Sequence, residues 1–357
     1  MRGSGECEGG HIPAERSRYA VPMSIYNITH GSDIDGLASA ALLVHYYGVP
    51  VKNIFFSQPN GKQFDDELAL IRRIRGTGNL LVITDLAMNK DNNGKMAAAL
   101  ASFRRKSKGN RIIWLDHHSW DRSSVDAISK YCDIIIEGEI PVCGAELVYK
   151  LLCDKDAFGA ELARIAHLAD FAIYPKRYEQ LIWKINYAQK ILGADDRLDN
   201  SKLRRLVSLI ARGRYRDRYI TSIADAYIKR SRPYMESLMK SAKAIDIGKI
   251  RLVLGFSEKV SNQVACIEML KRFRADMAVY VPVDTGHCSI RCSSRVDRKR
   301  MVRVGGVDGA KLARALGGNG HPLASGFAVG VKGKKLTASE IENIEKSILE
   351  KARKIYG

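Results

Sequence analysis

The first half of the chain alternates short apolar runs with longer segments in which apolar residues recur at helical spacing. The short runs are rich in Val, Ile and Leu, as strands are, and each longer segment carries one apolar face, as helices do. Strands that alternate with helices of this length are typical of a mainly parallel sheet covered on both faces. The pattern predicts strands at 24–29, 53–57, 79–84, 111–115 and 132–137, and helices at 35–48, 65–76, 94–107 and 143–152.

The pattern changes in the second half of the chain. From about 160 to 245 the apolar spacing is helical throughout, and beyond Ile247 strands and helices alternate again. We therefore expect an α/β protein in three parts: a parallel-sheet N-terminal domain at 23–190, a helical connector at 191–246, and a smaller α/β C-terminal domain at 247–357. Residues 1–22 lack the apolar core of a signal peptide, and we expect them to form a disordered leader.

Length and composition narrow the class of protein. A chain of 357 residues exceeds one typical core, and its 46% hydrophobic and 27% charged content is ordinary for a soluble globular protein. No apolar run approaches the ~20 residues that span a bilayer, so we expect no membrane contact and a cytoplasmic location. The seven cysteines contain no CxxC pair, which argues against a disulfide framework and against a zinc ribbon.

The net charge of +19 favours a polyanionic partner, because a large positive field attracts phosphates and releases their counterions. Residues 201–245 contain twelve Lys or Arg and only three acidic residues. Tyr215, Tyr219, Tyr227 and Tyr234 interleave with these cations. Aromatic side chains beside cations bind single-stranded nucleic acid by base stacking and phosphate attraction, although packing in a helical core explains such tyrosines equally well.

Three predicted strands of the first domain end on carboxylates and imidazoles, which are costly to bury without partners. Because the carboxyl ends of parallel strands meet at one edge of an open sheet, we expect these side chains to lie close together. Asp170, a carboxylate on an otherwise apolar helical segment, is a further candidate. The strand-end residues are His30, Asp33 and Asp35 after the first strand, Asp85 after the third, and Asp116, His117 and His118 after the fourth.

Each of these residues also has an ordinary structural interpretation. An Asp before a helix is usually an N-cap, and an Asp after a strand is often a turn residue. Those interpretations explain single positions, but they would require several coincidences at the same sheet edge. So many carboxylates cannot all stay ionised without cations, and the mixture of carboxylate and imidazole ligands suits Mn²⁺, Fe²⁺ or Co²⁺. There are enough ligands for two ions bridged by a carboxylate and held about 3.5–4 Å apart.

Five motifs in these regions resemble those of one family. "LDHHSW" is similar to the signature of the DHH phosphoesterase superfamily, and "THGSDIDG" and "VITDLA" are similar to its first two motifs. "GGNGHPLASGF" and "SIRCSS" resemble the glycine-rich motif and the arginine-bearing strand of the DHH-associated C-terminal domain. The resemblance spans about 23–335 and is stronger to the RecJ-like and oligoribonuclease-like branch than to the inorganic pyrophosphatases.

The resemblance also implies roles for individual residues. His30 and Asp33 would bind one Mn²⁺, with Asp35, His117 and Asp170 binding the second and Asp85 bridging the two. Asp116 would orient a histidine, and His118 would face the scissile phosphate. Co²⁺ or Mg²⁺ are candidate substitutes for the two Mn²⁺ ions. The implied catalytic residues are Asp116, His117 and His118, and the implied substrate-binding residues are Arg291, Arg295, Gly317, Gly318, Asn319, Gly320 and His321.

We therefore expect a manganese-dependent exonuclease that hydrolyses short single-stranded RNA or DNA oligonucleotides to mononucleotides through two-metal activation of water. Three alternatives stay open. The substrate could be a small nucleotide, such as 3′-phosphoadenosine 5′-phosphate or a cyclic or linear dinucleotide. The protein could be a pyrophosphatase or polyphosphatase, or a non-catalytic nucleic-acid-binding accessory protein. A homodimer is compatible with the sequence.

Overall fold

The structure is a computed structural model that describes residues 24–58, 61–88, 90–138, 141–192, 200–297, 302–330 and 335–357. The predicted leader at 1–22 lies outside the described residues.

The N-terminal half contains a five-stranded sheet in which every pairing is parallel. The strand order is β2-β1-β3-β4-β5, so the first strand lies inside the sheet and not at its edge. This confirms the predicted parallel α/β arrangement. The strands are β1 (Ile25–His30), β2 (Ile54–Ser57), β3 (Leu80–Thr84), β4 (Arg111–Leu115) and β5 (Ile134–Ile136).

Helices cover both faces of this sheet and form two separate apolar cores with it. One core lies under α1 (Ile34–Tyr47), α5 (Gly144–Leu152), α6 (Ala157–Asp170), α7 (Lys176–Leu192) and α8 (Asn200–Ile210). The other lies under α2 (Gly61–Arg73), α3 (Asn93–Arg105) and α4 (Arg122–Ile128). We call the sheet with α1–α8 the N-terminal lobe. In the part of the chain that the structure describes, no helix is long and apolar enough to cross a membrane.

The second half is a mixed six-stranded sheet with the order β12-β13-β9-β8-β7-β6, in which only β7 and β8 are parallel. A separate hairpin joins β10 (Arg295–Asp297) and β11 (Val302–Val304). We call β6–β13 with α10–α12 the C-terminal lobe. Its remaining elements are β6 (Lys243–Ile247), β7 (Ile250–Ser257), α10 (Asn262–Phe273), β8 (Met277–Pro282), β9 (His287–Cys292), α11 (Gly309–Ala315), β12 (Asn319–His321), β13 (Ala324–Ala328) and α12 (Ala338–Tyr356).

The helix α9 (Arg218–Ser241) joins the two lobes, and the predicted connector divides between them. Leu203, Leu206 and Ile210 of α8 belong to a core of the N-terminal lobe, whereas Leu238 of α9 belongs to a core of the C-terminal lobe. The expectation of helix through 245 was wrong, because β6 begins at Lys243 and pairs antiparallel with β7. The domain boundaries at 190 and 246 stay predictions.

The tyrosines of the connector take part in packing. Tyr219 lies under the guanidinium of Arg205, whose Cζ is 4.1 Å from the ring centroid, and Tyr215 packs against a core of the N-terminal lobe. Tyr227 is buried and stacks on Tyr187 of α7, with ring centroids 5.1 Å apart. Of the two interpretations open from the sequence, these contacts favour helical core packing over a platform for nucleic-acid bases.

One ionisable side chain in the N-terminal lobe is buried without a charged partner. Glu67 of α2 is 4% exposed and accepts a hydrogen bond from the Ser57 hydroxyl, while its Oε1 has no partner among the described residues. Burial raises the pKa of Glu67 from its ordinary value of 4.5 to about 8, and the Ser57 hydrogen bond opposes this shift only in part. The folded protein therefore holds Glu67 in its neutral form at pH 7.

This burial predicts a specific pH dependence of stability. The folded-state pKa lies above the unfolded value, so the contribution of Glu67 is fully present below pH 4.5 and is lost as pH rises through about 8. Glu67→Gln removes this dependence, and each pKa unit corresponds to about 1.4 kcal/mol as an upper limit. Urea unfolding between pH 5 and 9 measures the effect. Asp66→Asn, which changes an exposed carboxylate of the same helix, should keep the wild-type slope.

Candidate metal centre and substrate site

The carboxyl edge of the parallel sheet brings the predicted N-terminal site residues together. β1 ends on His30, Asp85 follows β3, and Asp116 and His117 follow β4. Asp85 has a φ of 51°, a left-handed conformation that turns the chain as it leaves the buried strand. Three groups of potential metal ligands result: His30, Asp33 and Asp85; Asp35, His117 and Asp170; and Asp85, His117 and His118.

The first group lies around the imidazole of His30. Its Nδ1 is 2.6 Å from Asp33 Oδ2 and 3.9 Å from Asp85 Oδ2. Asp33 is also the N-cap of α1, where its Oδ1 accepts a hydrogen bond from the Gly36 amide. The cap interpretation of Asp33 is therefore correct, and it leaves the second carboxylate oxygen facing His30. The two residues between His30 and Asp33 allow both side chains to reach the cluster.

The second group lies around Nε2 of His117. This atom is 3.7 Å from Asp35 Oδ2, 3.8 Å from Asp170 Oδ2 and 3.5 Å from Asp85 Oδ1. Asp170 is the last residue of α6, so the end of that helix delivers the carboxylate to the sheet edge. Asp85 thus faces His30 with one oxygen and His117 with the other, which places it between the two groups.

Asp35 is held by the N-terminus of a helix that is distant in sequence. Its oxygens accept hydrogen bonds from the amides of Gly144 (2.6 Å) and Ala145 (2.7 Å), the first residues of α5. The unpaired amides and the dipole of a helix N-terminus stabilise a carboxylate in this position. A Cβ at Gly144 would lie 2.9 Å from Asp85 Cβ and 3.1 Å from Asp35 Oδ2, so only glycine allows this close approach.

Gly144→Ala should therefore disturb the cluster without removing any potential ligand. We expect a loss of divalent-metal affinity of about tenfold to a hundredfold, the range seen when groups that support ligands are lost. Isothermal titration of the chelator-treated protein with Mn²⁺ measures this. Gly94→Ala is the matched control, because a Cβ at Gly94 in α3 meets nothing within 4 Å. Equal Mn²⁺ affinity in the two variants would contradict the role given to the α5 N-terminus.

Three carboxylates of the cluster, Asp35, Asp85 and Asp170, have raised pKa values. Burial and the charges of Asp33, Asp35, Asp116 and Asp170 raise the pKa of Asp85 well above its usual range. Burial also raises the pKa of Asp170, to about 6, against the attraction of His117. Oδ2 of Asp85 and Nε2 of His117 are buried, with no hydrogen-bond partner among the described residues. A bound cation would reduce the repulsion between these carboxylates and would provide a partner for the two buried ligand atoms.

Asp116 is fully buried and accepts hydrogen bonds from two neighbouring aromatic rings. Its Oδ1 accepts a hydrogen bond from His118 Nδ1 at 2.8 Å, and its Oδ2 accepts one from Trp120 Nε1 at 2.7 Å. Burial alone would lower the pKa of His118, but the hydrogen bond and charge of Asp116 raise it to about 9. The His118 side chain is 48% exposed, so a charged imidazole faces the open side of the cluster.

The Asp116–His118 pair predicts a measurable titration in the metal-free protein. Wild-type His118 should stay protonated until about pH 9, whereas Asp116→Asn should lower its pKa, because the hydrogen bond and charge of Asp116 are lost and only the charges of Asp170 and Asp33 still oppose burial. The ring resonances of His118 followed by NMR against pH report this shift. Trp120→Phe removes the other partner of Asp116 and should leave the high pKa of His118 in place. An unchanged pKa in the Asp116 variant would show that another group charges the ring.

Three polar residues beside the cluster have no recognisable signal in the sequence. Gln58, which follows β2, accepts a hydrogen bond from His30 Nε2 at its Oε1 (3.0 Å), and its Nε2 donates to the Ser32 hydroxyl. Gln189 and Lys190 near the end of α7 donate to the carbonyls of Gly31 (2.7 Å) and Ser32 (2.6 Å). These contacts fix the β1–α1 turn that carries Asp33. Gln189 and Lys190 each lie 158 residues from the carbonyl that they contact, and local sequence patterns do not reveal such contacts.

The predicted substrate residues of the C-terminal lobe are more spread out. Arg291 lies on β9, and its charge acts on Lys190 of the N-terminal lobe, so it faces the cluster side of the molecule. Arg295 begins the β10–β11 hairpin and is exposed. Asn319, Gly320 and His321 form the exposed edge strand β12.

The backbone of Gly317–Gly320, which the family resemblance implies to bind substrate, forms a helix end and the start of a strand. The amides of Gly317 and Gly318 already donate to the carbonyls of Arg314 and Ala313, with Gly317 at a φ of 82°, which is a Schellman motif that ends α11. Asn319 and Gly320 pair with Gly326 and Ser325 of β13. Helix capping and strand pairing thus already use part of this backbone. Substrate binding by these residues stays a prediction.

Comparison with known proteins was made on the sequence and on the fold. Residues 24–188 match the model of the DHH family, N-terminal domain. Residues 24–188 therefore form a DHH-family N-terminal domain. No curated protein matches its sequence. The match covers every residue of the cluster and the elements from β1 to α6, and it ends within α7.

Solved structures that are similar to this chain have low sequence identity. The pGpG-specific phosphodiesterase PggH from Vibrio cholerae is 15% identical, with a TM-score of 0.54 over 93% of this chain and 100% of that one. An exopolyphosphatase-related protein from Bacteroides fragilis is 16% identical, with a TM-score of 0.54 over 92% of each chain. RecJ from Thermus thermophilus is 12% identical, with a TM-score of 0.48 over 92% of this chain and 50% of that one.

Proposed function

We propose that the protein is a manganese-dependent phosphodiesterase that hydrolyses short single-stranded oligonucleotides to mononucleotides. The observation that carries the proposal is the pair of ligand groups that meet at Asp85: His30 and Asp33 on one side, Asp35, His117 and Asp170 on the other. Paired ligand groups of this kind are the arrangement that two-metal hydrolysis uses.

The residues present fit two divalent ions. Carboxylate oxygens and imidazole nitrogens converge, and the buried atoms Asp85 Oδ2 and His117 Nε2 lack any other partner among the described residues. The mixture of oxygen and nitrogen donors, without thiolates, suits Mn²⁺ better than Zn²⁺ or Ca²⁺. When bound, the two ions would lower the pKa of a water molecule and neutralise charge on the phosphate.

The protein's own side chains supply the rest of the chemistry. Asp116 holds His118 in its charged form on the open side of the cluster, where the ring can stabilise negative charge on the scissile phosphate or donate a proton to the leaving oxygen. Trp120 fixes the second oxygen of Asp116 and so limits rotation of the carboxylate. These contacts support the catalytic roles proposed for Asp116 and His118.

Several observations support a nucleotide substrate. The net charge of +19 favours polyanions, and the PggH protein of the same fold is described as a pGpG-specific phosphodiesterase. Arg291 contributes a cation from the opposite lobe, so the site lies between two lobes and should accept chain ends and short oligomers more readily than duplex. The exopolyphosphatase-related neighbour makes polyphosphate the second candidate substrate.

Asp85→Asn tests the proposal most directly. We expect a loss of turnover of about a hundredfold or more, because both ligand groups share this carboxylate, while binding of RNA to the cationic surface is retained. The assay follows products from 5′-labelled RNA of about two to twenty nucleotides with Mn²⁺, alongside linear dinucleotides, 3′-phosphoadenosine 5′-phosphate, pyrophosphate and polyphosphate. Asp225→Asn, an exposed carboxylate on α9, is the control.

The products distinguish the candidates. Mononucleotide release that is fastest from the shortest oligomers would support the oligonucleotide substrate. Hydrolysis of polyphosphate or pyrophosphate alone would support the metal centre but would reject oligonucleotides as the substrate. Equal turnover of RNA by wild type and the Asp85 variant would reject the catalytic assignment.

A further inference from the structure

A pair of cations from opposite lobes lies beside the metal-ligand cluster. Lys190 belongs to α7 of the N-terminal lobe, and Arg291 belongs to β9 of the C-terminal lobe. Asn186, four residues before Lys190 on the same face of α7, donates a hydrogen bond to Gln263 of α10 (3.1 Å), so this face of α7 borders the C-terminal lobe. Burial lowers the pKa of Lys190, Asp33 opposes this shift, and the charge of Arg291 adds to it. Lys190 therefore lies between a residue of the cluster and a residue of the other lobe.

The strand register explains why Arg291 points away from its own core. Cys288, Ile290 and Cys292 of β9 face the core under α11 and α12, so the residues that alternate with them face the opposite side of the sheet. On that side Cys266 of α10 lies against the carbonyl of Ser289, with Sγ 3.5 Å from the oxygen. Arg291 lies on the same face of the sheet as α10, and Gln263 of α10 donates a hydrogen bond to Tyr174 of the N-terminal lobe (3.2 Å).

The guanidinium of Arg291 is incompletely satisfied. Its Nε is buried and has no hydrogen-bond partner, and no carboxylate within the described ranges lies at ion-pair distance from it. A buried donor without a partner costs about 1–3 kcal/mol, and more when the group is charged. Lys190 donates to the carbonyl of Ser32 at 2.6 Å, which leaves an ammonium group with further N–H donors and, among the residues that the structure describes, no carboxylate at ion-pair distance.

An anion held between two neighbouring cations offsets their mutual repulsion. The neighbouring carboxylate is Asp33, the most exposed acid of the cluster at 41%, and it already faces His30. Cations bound in the cluster would add positive charge beside the pair. The anion must therefore come from outside the protein, and it must reach both lobes at once.

We propose that Lys190 and Arg291 together bind one phosphate group of the substrate, each lobe contributing one cation beside the proposed metal centre. The forked guanidinium can contact two phosphate oxygens, and the ammonium can contact a third as a point charge. The inference rests on the proposed function for the phosphate, and it assigns the N-terminal half of the phosphate site to a helix outside the strand-end motifs.

A purely structural role for Lys190 makes a different prediction. If its only task were to hold the Ser32 carbonyl, its loss would loosen the turn that carries Asp33 and would weaken metal binding. A phosphate-binding role predicts weaker phosphate binding with metal affinity preserved. The two roles are therefore separated by measuring both ligands on the same variants.

The experiment is isothermal titration of inorganic phosphate into the Mn²⁺-saturated protein, with a parallel Mn²⁺ titration of the chelator-treated protein. Lys190→Met and Arg291→Met should each weaken phosphate binding at least about tenfold, and the double variant should lose less than the product of the two factors, because both side chains hold the same ligand. Lys190→Gln removes the charge and keeps an N–H donor for Ser32, so it should behave like Lys190→Met towards phosphate. Lys184→Met, in the same helix, is the matched control and should bind phosphate as the wild type does.

Either of two results would overturn the proposal: phosphate affinity of the Lys190 variants within about twofold of wild type, or an equal loss of Mn²⁺ and phosphate affinity. Because phosphate binding is measured without turnover, failure of the phosphate site can be distinguished from failure of the proposed function. A wild type that binds phosphate through Lys190 but hydrolyses no substrate offered would reject the proposed function and keep the phosphate site. A Lys190→Met variant with wild-type KM and phosphate affinity would reject the site and keep the function.

Discussion

The repulsion among carboxylates at the edge of the N-terminal sheet is the constraint on which the rest of the site depends. Asp33, Asp35, Asp85 and Asp170 all act on one another's charge in a largely buried space. Each is met by a different compensating group: a helix N-terminus for Asp35, an imidazole for Asp33 and another for Asp170. Asp85 has the least compensation, and it is the one carboxylate that faces both ligand groups. The arrangement around Asp85 is therefore suited to binding cations.

Much of this arrangement could be predicted from the sequence. Alternating strands and helices predicted the parallel sheet, and the rule that carboxyl ends of parallel strands share an edge predicted that His30, Asp85 and His117 would meet. These inferences succeed because they depend on local patterns and on one general property of sheets. The order of motifs then indicated the family that residues 24–188 match.

Other parts could not be predicted, for physical reasons that differ from case to case. Gln58, Gln189 and Lys190 act through tertiary contacts, and nothing in their own segments marks them. The glycines at 317 and 318 satisfied a helix end, a role that composition alone does not distinguish from a phosphate loop. β6 has apolar spacing compatible with a continuing helix, and only its pairing with β7 made it a strand.

The contact between Asp35 and the start of α5 joins residues about 110 positions apart. Contacts of such sequence separation form only after long loops have closed, which slows folding and places their formation late. Among the described residues, no short fragment contains a complete ligand group, so the complete metal sites form only in the folded protein, in contrast to small domains whose folding a metal drives. Newly made chains would acquire their ions only once the sheet, α5 and α6 had assembled. Metal binding would then indicate that the N-terminal lobe has folded.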